Sequence, residues 1–335
     1  MFLRSAALLG ALGALASIYA ATPPTYAVLK SYPVPGEGGW DYMKVDPGSH
    51  RLFISRGTRV QVMDTGSGRM VGEIANTPGV HGIALDTRLG KGFTSNGREN
   101  TVTVFDLRTL RELARVKTGT NPDGIVYDPS AERIFTFNGR SGDSTAIDAR
   151  TNKVVGTIKL DGKPEFPAAD GKGHVFVNIE DKGEIQEIDS HTLSVLKTWP
   201  LAPGESPSGL AIDPRRNLLF SACDNHMMAV SDGNTGKVVA TPAIGDGPDA
   251  AGFDPRFHLA FTSNGEGTLS IVQEGTYAVV QTLKTQPSAR TMALDPRNHM
   301  IYLIAARRAG SSDPSSHRLQ VIPGTTVILV VGPKS

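Results

Sequence analysis

One cysteine, Cys223, stands in 335 residues, so neither an intrachain disulfide nor a cysteine-cluster zinc site can form. Neither sign of charge is in excess: 34 Lys and Arg face 33 Asp and Glu, a formal net charge of +1. That balance argues against nucleic acid as a partner, because phosphate contacts need a basic face. Beyond the first 21 residues, no stretch is long and apolar enough to cross a bilayer. A Gly-rich phosphate loop in a strand-to-helix context, HExxH and GxSxG are all missing, which removes three common routes to catalysis. What is present is a hydrophobic content of 39%, enough for a packed core and too much for a disordered chain. Gly at 37 and Pro at 22 predict many turns.

Met1–Ala21 reads as a secretory signal. Arg4 supplies the positive start, and Ala6 to Ile18 is an apolar run of about 13 residues. Ala14-Leu15-Ala16 and Ile18-Tyr19-Ala20 offer small-residue cleavage frames. The run is short of the roughly 20 residues that span a bilayer, although an uncleaved anchor is the competing reading. The expected protein is therefore periplasmic or secreted, with residues 22–335 forming a single domain. A core of that size needs no disulfide staple.

The chain repeats. Apolar residues followed by Asp, and often by Pro, recur at Asp46, Asp86, Asp128, Asp170, Asp213, Asp254 and Asp295, with spacings of 40, 42, 42, 43, 41 and 41. A second column, seven residues on, holds Phe53, Phe93, Phe135, Phe220, Phe261 and Tyr302; the fourth copy is shorter and places Val175 there, with Phe176 beside it. A third column holds Asp64, Asp106, Asp148, Asp189 and Asp232. Within the third copy, Ile125-Val126-Tyr127, Ile134 to Phe137, Ser144 to Ile147 and Val154 to Ile158 read as four short strands divided by Asp- and Gly-bearing turns. Four strands at a period near 42 signify an all-β, seven-bladed β-propeller of antiparallel blades.

The ends suggest how the ring closes. Ala27 to Tyr32 looks like a fourth strand lacking its first three, and the last copy offers Met292 to Leu294, Met300 to Ile304 and Val327 to Val330. The N-terminal strand then completes the last blade and removes two open edges. A competing count makes Leu319 to Ile322 the third strand and leaves the N-terminal strand unpaired.

Asn121-Pro122-Asp123-Gly124-Ile125, Thr101-Val102-Thr103-Val104-Phe105-Asp106 and Thr235-Gly236-Lys237-Val238-Val239 resemble the YVTN-repeat, YncE-like bacterial β-propellers over residues 26–331. The resemblance implies an exported propeller and little about its role, since such propellers look like scaffolds with varied functions. Related propellers include lactonases and haem-binding or quinone-enzyme domains.

Propellers bind ligands at the mouth of the central channel. Two rings of residues are expected at one mouth. The first lies five residues before each repeat Asp: Asp41, His81, Asp123, Glu165, Ser208, Asp249 and Arg290. The second lies ten residues after it, or eight in the short copy: Arg56, Asn96, Asn138, Asn178, Cys223, Asn264 and Ala305. Asp and Asn at strand ends commonly serve their own turns. The near-invariant repeat aspartates fit that role; the first ring varies from copy to copy, as positions that meet a ligand would. Converging carboxylates repel unless a cation, an Arg or protons intervene. They suit a divalent ion such as Ca²⁺ or Mg²⁺ in the central channel, and His81 extends the choice to transition metals. The expectation is a binding or scaffold protein for a partner protein, peptide or small-molecule ligand, with a metal-dependent hydrolase of lactonase type as the alternative. Cys223 with His226 and Met227 or Met228 is a weaker soft-metal candidate. Trp40 is placed to cap the core or stack on a ligand, and the polar loop 307–318 of the last blade to overhang the mouth.

Overall fold

The computed structural model describes residues 23–309 and 320–334. The expected signal segment, Met1–Ala21, and most of the polar loop 307–318 lie outside the described residues.

Seven four-stranded antiparallel sheets follow one another along the chain. The third repeat is representative: Pro122–Asp128, Arg133–Asn138, Asp143–Asp148 and Lys153–Lys159 pair in sequence order. The only helix among the described residues is a single 3₁₀ turn at Glu180–Lys182, so none is long and apolar enough to cross a membrane. The innermost strands pack on one another in succession, and Thr291–Asp295 of the seventh blade returns to Met43–Asp46 of the first, closing the ring.

Closure uses the N-terminus. The last blade runs Thr291–Asp295, Met300–Ala305, Val327–Pro333 and then Tyr26–Pro33, with Tyr26 opposite Pro333 and Pro33 opposite Val327. The competing count fails because Val327–Pro333, and not Gln320–Val321, pairs with Met300–Ala305; Gln320–Val321 pairs with Arg308–Ala309 in a separate short ladder.

The aromatic column is the interior of the blades. Phe53, Phe93, Phe135, Phe176, Phe220 and Phe261 are 0% exposed and Tyr302 is 2% exposed, each worth about 1.5–3 kcal/mol of burial. Register corrects one member. Phe135 faces Val126 and Phe93 faces Ala84, and the matching partner in the fourth blade is Phe176 opposite Ala168, not Val175.

Each repeat Asp closes its own turn. Its Oδ1 accepts from the backbone N–H two residues on, at 2.7–3.3 Å in all seven copies, the local bonding that favours Asp at such turns. Some reach the next blade too: Ser190 Oγ donates to Asp128 Oδ2 at 2.6 Å, and His299 Nδ1 lies 2.7 Å from Asp254 Oδ2. In the third column, Asp106 and Asp148 accept from the Thr109 and Thr151 N–H groups, and these bonds hold both carboxyls below the usual range.

At the upper end the innermost strands come very close. A Cβ on Gly124 would sit 2.5 Å from the Glu165 carbonyl oxygen, and one on Gly82 would sit 2.9 Å from that of Asp123. This contact brings the residues just before each innermost strand around one small mouth. The outer strands carry Lys30, Lys117, Lys153, Lys197 and Lys284, charges that discourage edge-to-edge pairing.

Candidate functional site

All seven first-ring residues line one cavity of about 330 Å³ at the upper mouth. Tyr42, Phe166, Glu180 and Asp224 line it with them. Six carboxylates thus face a common space: Asp41, Asp123, Glu165, Glu180, Asp224 and Asp249. The bases in contact with them are His81, Arg290 and Lys163.

Asp41, His81 and Asp123 form the tightest group. His81 Nδ1 lies 2.5 Å from Asp41 Oδ2 and 3.8 Å from Asp123 Oδ1. One ligand atom from each residue falls within 4.8 Å of the others, and among the described residues this is the one group of His, Cys, Asp and Glu spaced to hold a metal ion. Burial alone would lower the His81 pKa; the hydrogen bond to Asp41 and the charges of Asp123, Asp41 and Glu165 together raise it.

The carboxylates are enclosed but reachable, with 17%, 16% and 19% side-chain exposure at Asp123, Glu165 and Asp249. Burial, followed by the charge of Asp41, pushes Asp123 up to about 6 against the pull of His81. Burial, followed by the charge of Asp123, pushes Glu165 up to about 7 against Lys163, whose ammonium is 2.7 Å away and also pairs with Glu180. Burial pushes Asp249 up to about 6 although Arg290 Nε lies 3.6 Å from it. Raised acids of this kind mark a site where burial penalises the charged carboxylate more than the nearby bases favour it.

Under the carboxylates, Tyr42 stacks on Phe166 across the channel, with ring centroids 4.5 Å apart. The Tyr42 hydroxyl is buried without a hydrogen bond of good geometry. It lies close enough to Asp123 to favour that group's ionised form. Burial and four surrounding carboxylates raise its own pKa well above the ordinary value. The two rings separate the acidic mouth from the channel below, which both also line.

The second ring does not share this mouth. Arg56 is 1% exposed, and Asn96, Asn138, Asn178, Cys223, Asn264 and Ala305 are 0% exposed. Asn96 Nδ2 donates to the Thr101 and Thr103 hydroxyls, Asn138 Nδ2 to Asp143 and Thr145, and Asn264 Nδ2 to Thr268 and Ser270. These side chains turn sideways to the third strand because the pleat alternates. The next residue is the one that opens upward, and there Glu180 and Asp224 stand where other blades have Gly97, Gly139 and Gly265. Register also replaces Asn178 by Ile179, which faces Pro164 as Asn138 faces Pro122. Asn178 instead donates to the Ser208 and Gly209 carbonyls and ties two blades together. Arg56 gives one guanidinium bond to the Gly36 carbonyl, and burial lowers its pKa to about 10.

Sequence reading therefore missed Glu180, Asp224, Tyr42 and Phe166. The signal was there: an acid or an aromatic stands where the other copies have glycine or a small residue. The weaker candidates resolve as structure. Cys223 is buried, which pushes its thiol up to about 11 and leaves it protonated at neutral pH. Trp40 packs on the core between the first and last blades, with Arg308 over its ring at 5.7 Å.

No protein-family model matches the chain, and no curated protein matches it. Among solved structures it is similar to the hydrazine synthase of Kuenenia stuttgartiensis, with a TM-score of 0.70 and 16% identity over 87% of this chain and 97% of that one. At this identity the likeness shows the fold, a β-propeller, and nothing finer.

Proposed function

We propose that this chain is an exported binding propeller whose upper mouth takes a divalent cation between Asp41, His81 and Asp123 and, around it, a partner protein, peptide or small ligand. One observation carries this reading: six carboxylates line a small, partly buried cavity with His81 and Arg290, and Lys163 pairs with two of them from outside it. A cation relieves that repulsion directly. One imidazole nitrogen with carboxylate oxygens suits Mn²⁺ or Zn²⁺ better than an all-oxygen ion. Three protein donors leave positions open for water or for a donor from the ligand. Export rests on the Met1–Ala21 pattern, and a YVTN-type identity on the quoted repeat motifs.

Calorimetry of chelator-stripped protein with Mn²⁺, Zn²⁺ and Ca²⁺ tests the reading. One equivalent of ion should bind, and His81→Ala or Asp123→Asn should weaken it at least about tenfold. Affinity should rise from pH 5.5 to pH 8, because an ion must displace the protons that the raised pKa values hold on His81, Asp123 and Glu165. Equal binding by wild type and His81→Ala would sink the proposal.

The open coordination positions also favour a second reading, a metal-dependent hydrolase in which the ion activates water. Turnover of a simple lactone by the Zn²⁺- or Mn²⁺-loaded protein, lost in Asp123→Asn, would distinguish it from a binding protein.

A further inference from the structure

Below the Tyr42–Phe166 pair the channel continues as a cavity of about 450 Å³, walled by residues of all seven innermost strands. Of its 18 lining residues one is charged, Lys44. Strand register shows how unusual that residue is. Lys44 pairs with Phe53 of its own blade; the matching positions are Ala84, Val126, Ala168, Ala211, Gly252 and Ala293. Six blades thus present a small apolar residue where the first presents an ammonium.

Among the described residues Lys44 forms no ion pair and no side-chain hydrogen bond. Its side chain is exposed to the channel, yet protein surrounds it, and this enclosure lowers its pKa. An ammonium among apolar walls is costly unless a counter-charge joins it.

The lower rim supplies a route for such a counter-charge. The repeat turns fix the residue two places after each Asp, and it is basic in five blades: Arg88, Lys172, Arg215, Arg256 and Arg297. Arg88 is paired with Glu132, and Lys172 donates to the Pro214 carbonyl. Arg215, Arg256 and Arg297 are exposed, on consecutive blades, and have no ion pair among the described residues. The channel reaches this rim, since Pro47 and Pro296 of the turns line it.

We propose that the lower channel binds an amphipathic carboxylate of the medium-chain fatty-acid class, which passes the Arg215, Arg256 and Arg297 rim and pairs its head with Lys44. The volume falls within the roughly 300–1,000 Å³ range of small-molecule pockets. The tail lies along Val126, Phe253 and Leu294. Access is from below, because the aromatic pair closes the upper end and the carboxylates above it repel an anion. The site is separate from the cation site at the mouth.

The probe is octanoate, titrated into the full-length protein in the presence of chelator, with octanol and acetate as controls. Wild type should bind octanoate saturably, and at least about tenfold more tightly than either control, since a desolvated charge-assisted pair is worth that much. Lys44→Met should lose this tenfold preference over octanol while melting at or above the wild-type temperature. Val126→Phe, which fills the same layer from another blade, should exclude both octanoate and octanol. Asp123→Asn should leave octanoate binding intact, so this outcome and that of the metal titration are independent. No saturable octanoate binding by wild type, or equal binding by a normally melting Lys44→Met protein, would overturn the proposal.

Discussion

The two ends of the channel expose side chains of opposite charge on the same repeated scaffold, the repeat aspartates of the lower turns being buried against their own backbone. The upper mouth gathers six carboxylates in partial burial, so Asp123, Glu165 and Asp249 hold raised pKa values. The lower rim carries exposed arginines on turns whose backbone is tied down by the repeat aspartates. The difference is one of solvation as much as of sign. Charges above are crowded where water is scarce and cost stability; charges below are hydrated and cost little. The repeat keeps the backbone constant while positions free of turn duty diverge.

The largest effect comes from breaking what both ends share. Phe135 is fully buried between blades. Phe135→Ala should cost about 3–5 kcal/mol in urea unfolding and should weaken ligand binding at both ends in proportion to the unfolded fraction. Selective loss at one end, with the fold intact, would contradict a ring that acts as one body.

A smaller effect separates the ends. Asp249 has a pKa raised to about 6 by burial, above that of a carboxyl in the unfolded chain. A raised folded pKa contributes stability below the unfolded value and loses it as pH climbs through the folded one. In the metal-free protein, Asp249→Asn should therefore stabilise at pH 8 by up to about 3 kcal/mol and by only about a third of that at pH 4.5. Saturating metal should shrink the gain. Identical melting shifts at both pH values would show that the mouth is less desolvated than its geometry implies.

How legible this was in the sequence differs by level. Asp128 and its six counterparts, with the Phe column, disclosed the blade number because turn chemistry and burial impose the same residue on every copy, and the leftover strand at Ala27 to Tyr32 disclosed the closure. The first ring was legible for the converse reason: it sits after the turn constraints end, and it varies. The second ring misled because its asparagines look like ligand groups, while strand pleat aims Asn96 and Asn138 at hydroxyls of their own blade. Tyr42, Phe166 and Lys44 escaped notice because each stands in a column of otherwise small residues, and a departure in one copy is visible only once strand register aligns the columns. Distances such as that between His81 and Asp123, contributed by neighbouring blades, are set by ring geometry that no local sequence window encodes.

The smallest expected effect sharpens the comparison most. Arg256 is exposed and unpaired among the described residues, and its backbone N–H, not its guanidinium, serves the turn. Arg256→Ser should shift stability by no more than about 0.5 kcal/mol and leave metal affinity at the upper mouth unchanged. Its influence belongs to long-range attraction, which ionic strength screens within about 8–10 Å. Octanoate association with wild type should therefore slow as salt rises, and the slope against ionic strength should flatten in Arg256→Ser while dissociation stays the same. Stopped-flow rates at several salt concentrations measure this. An altered dissociation rate would place Arg256 in contact with the bound anion, and the lower rim would then be part of the site instead of its approach.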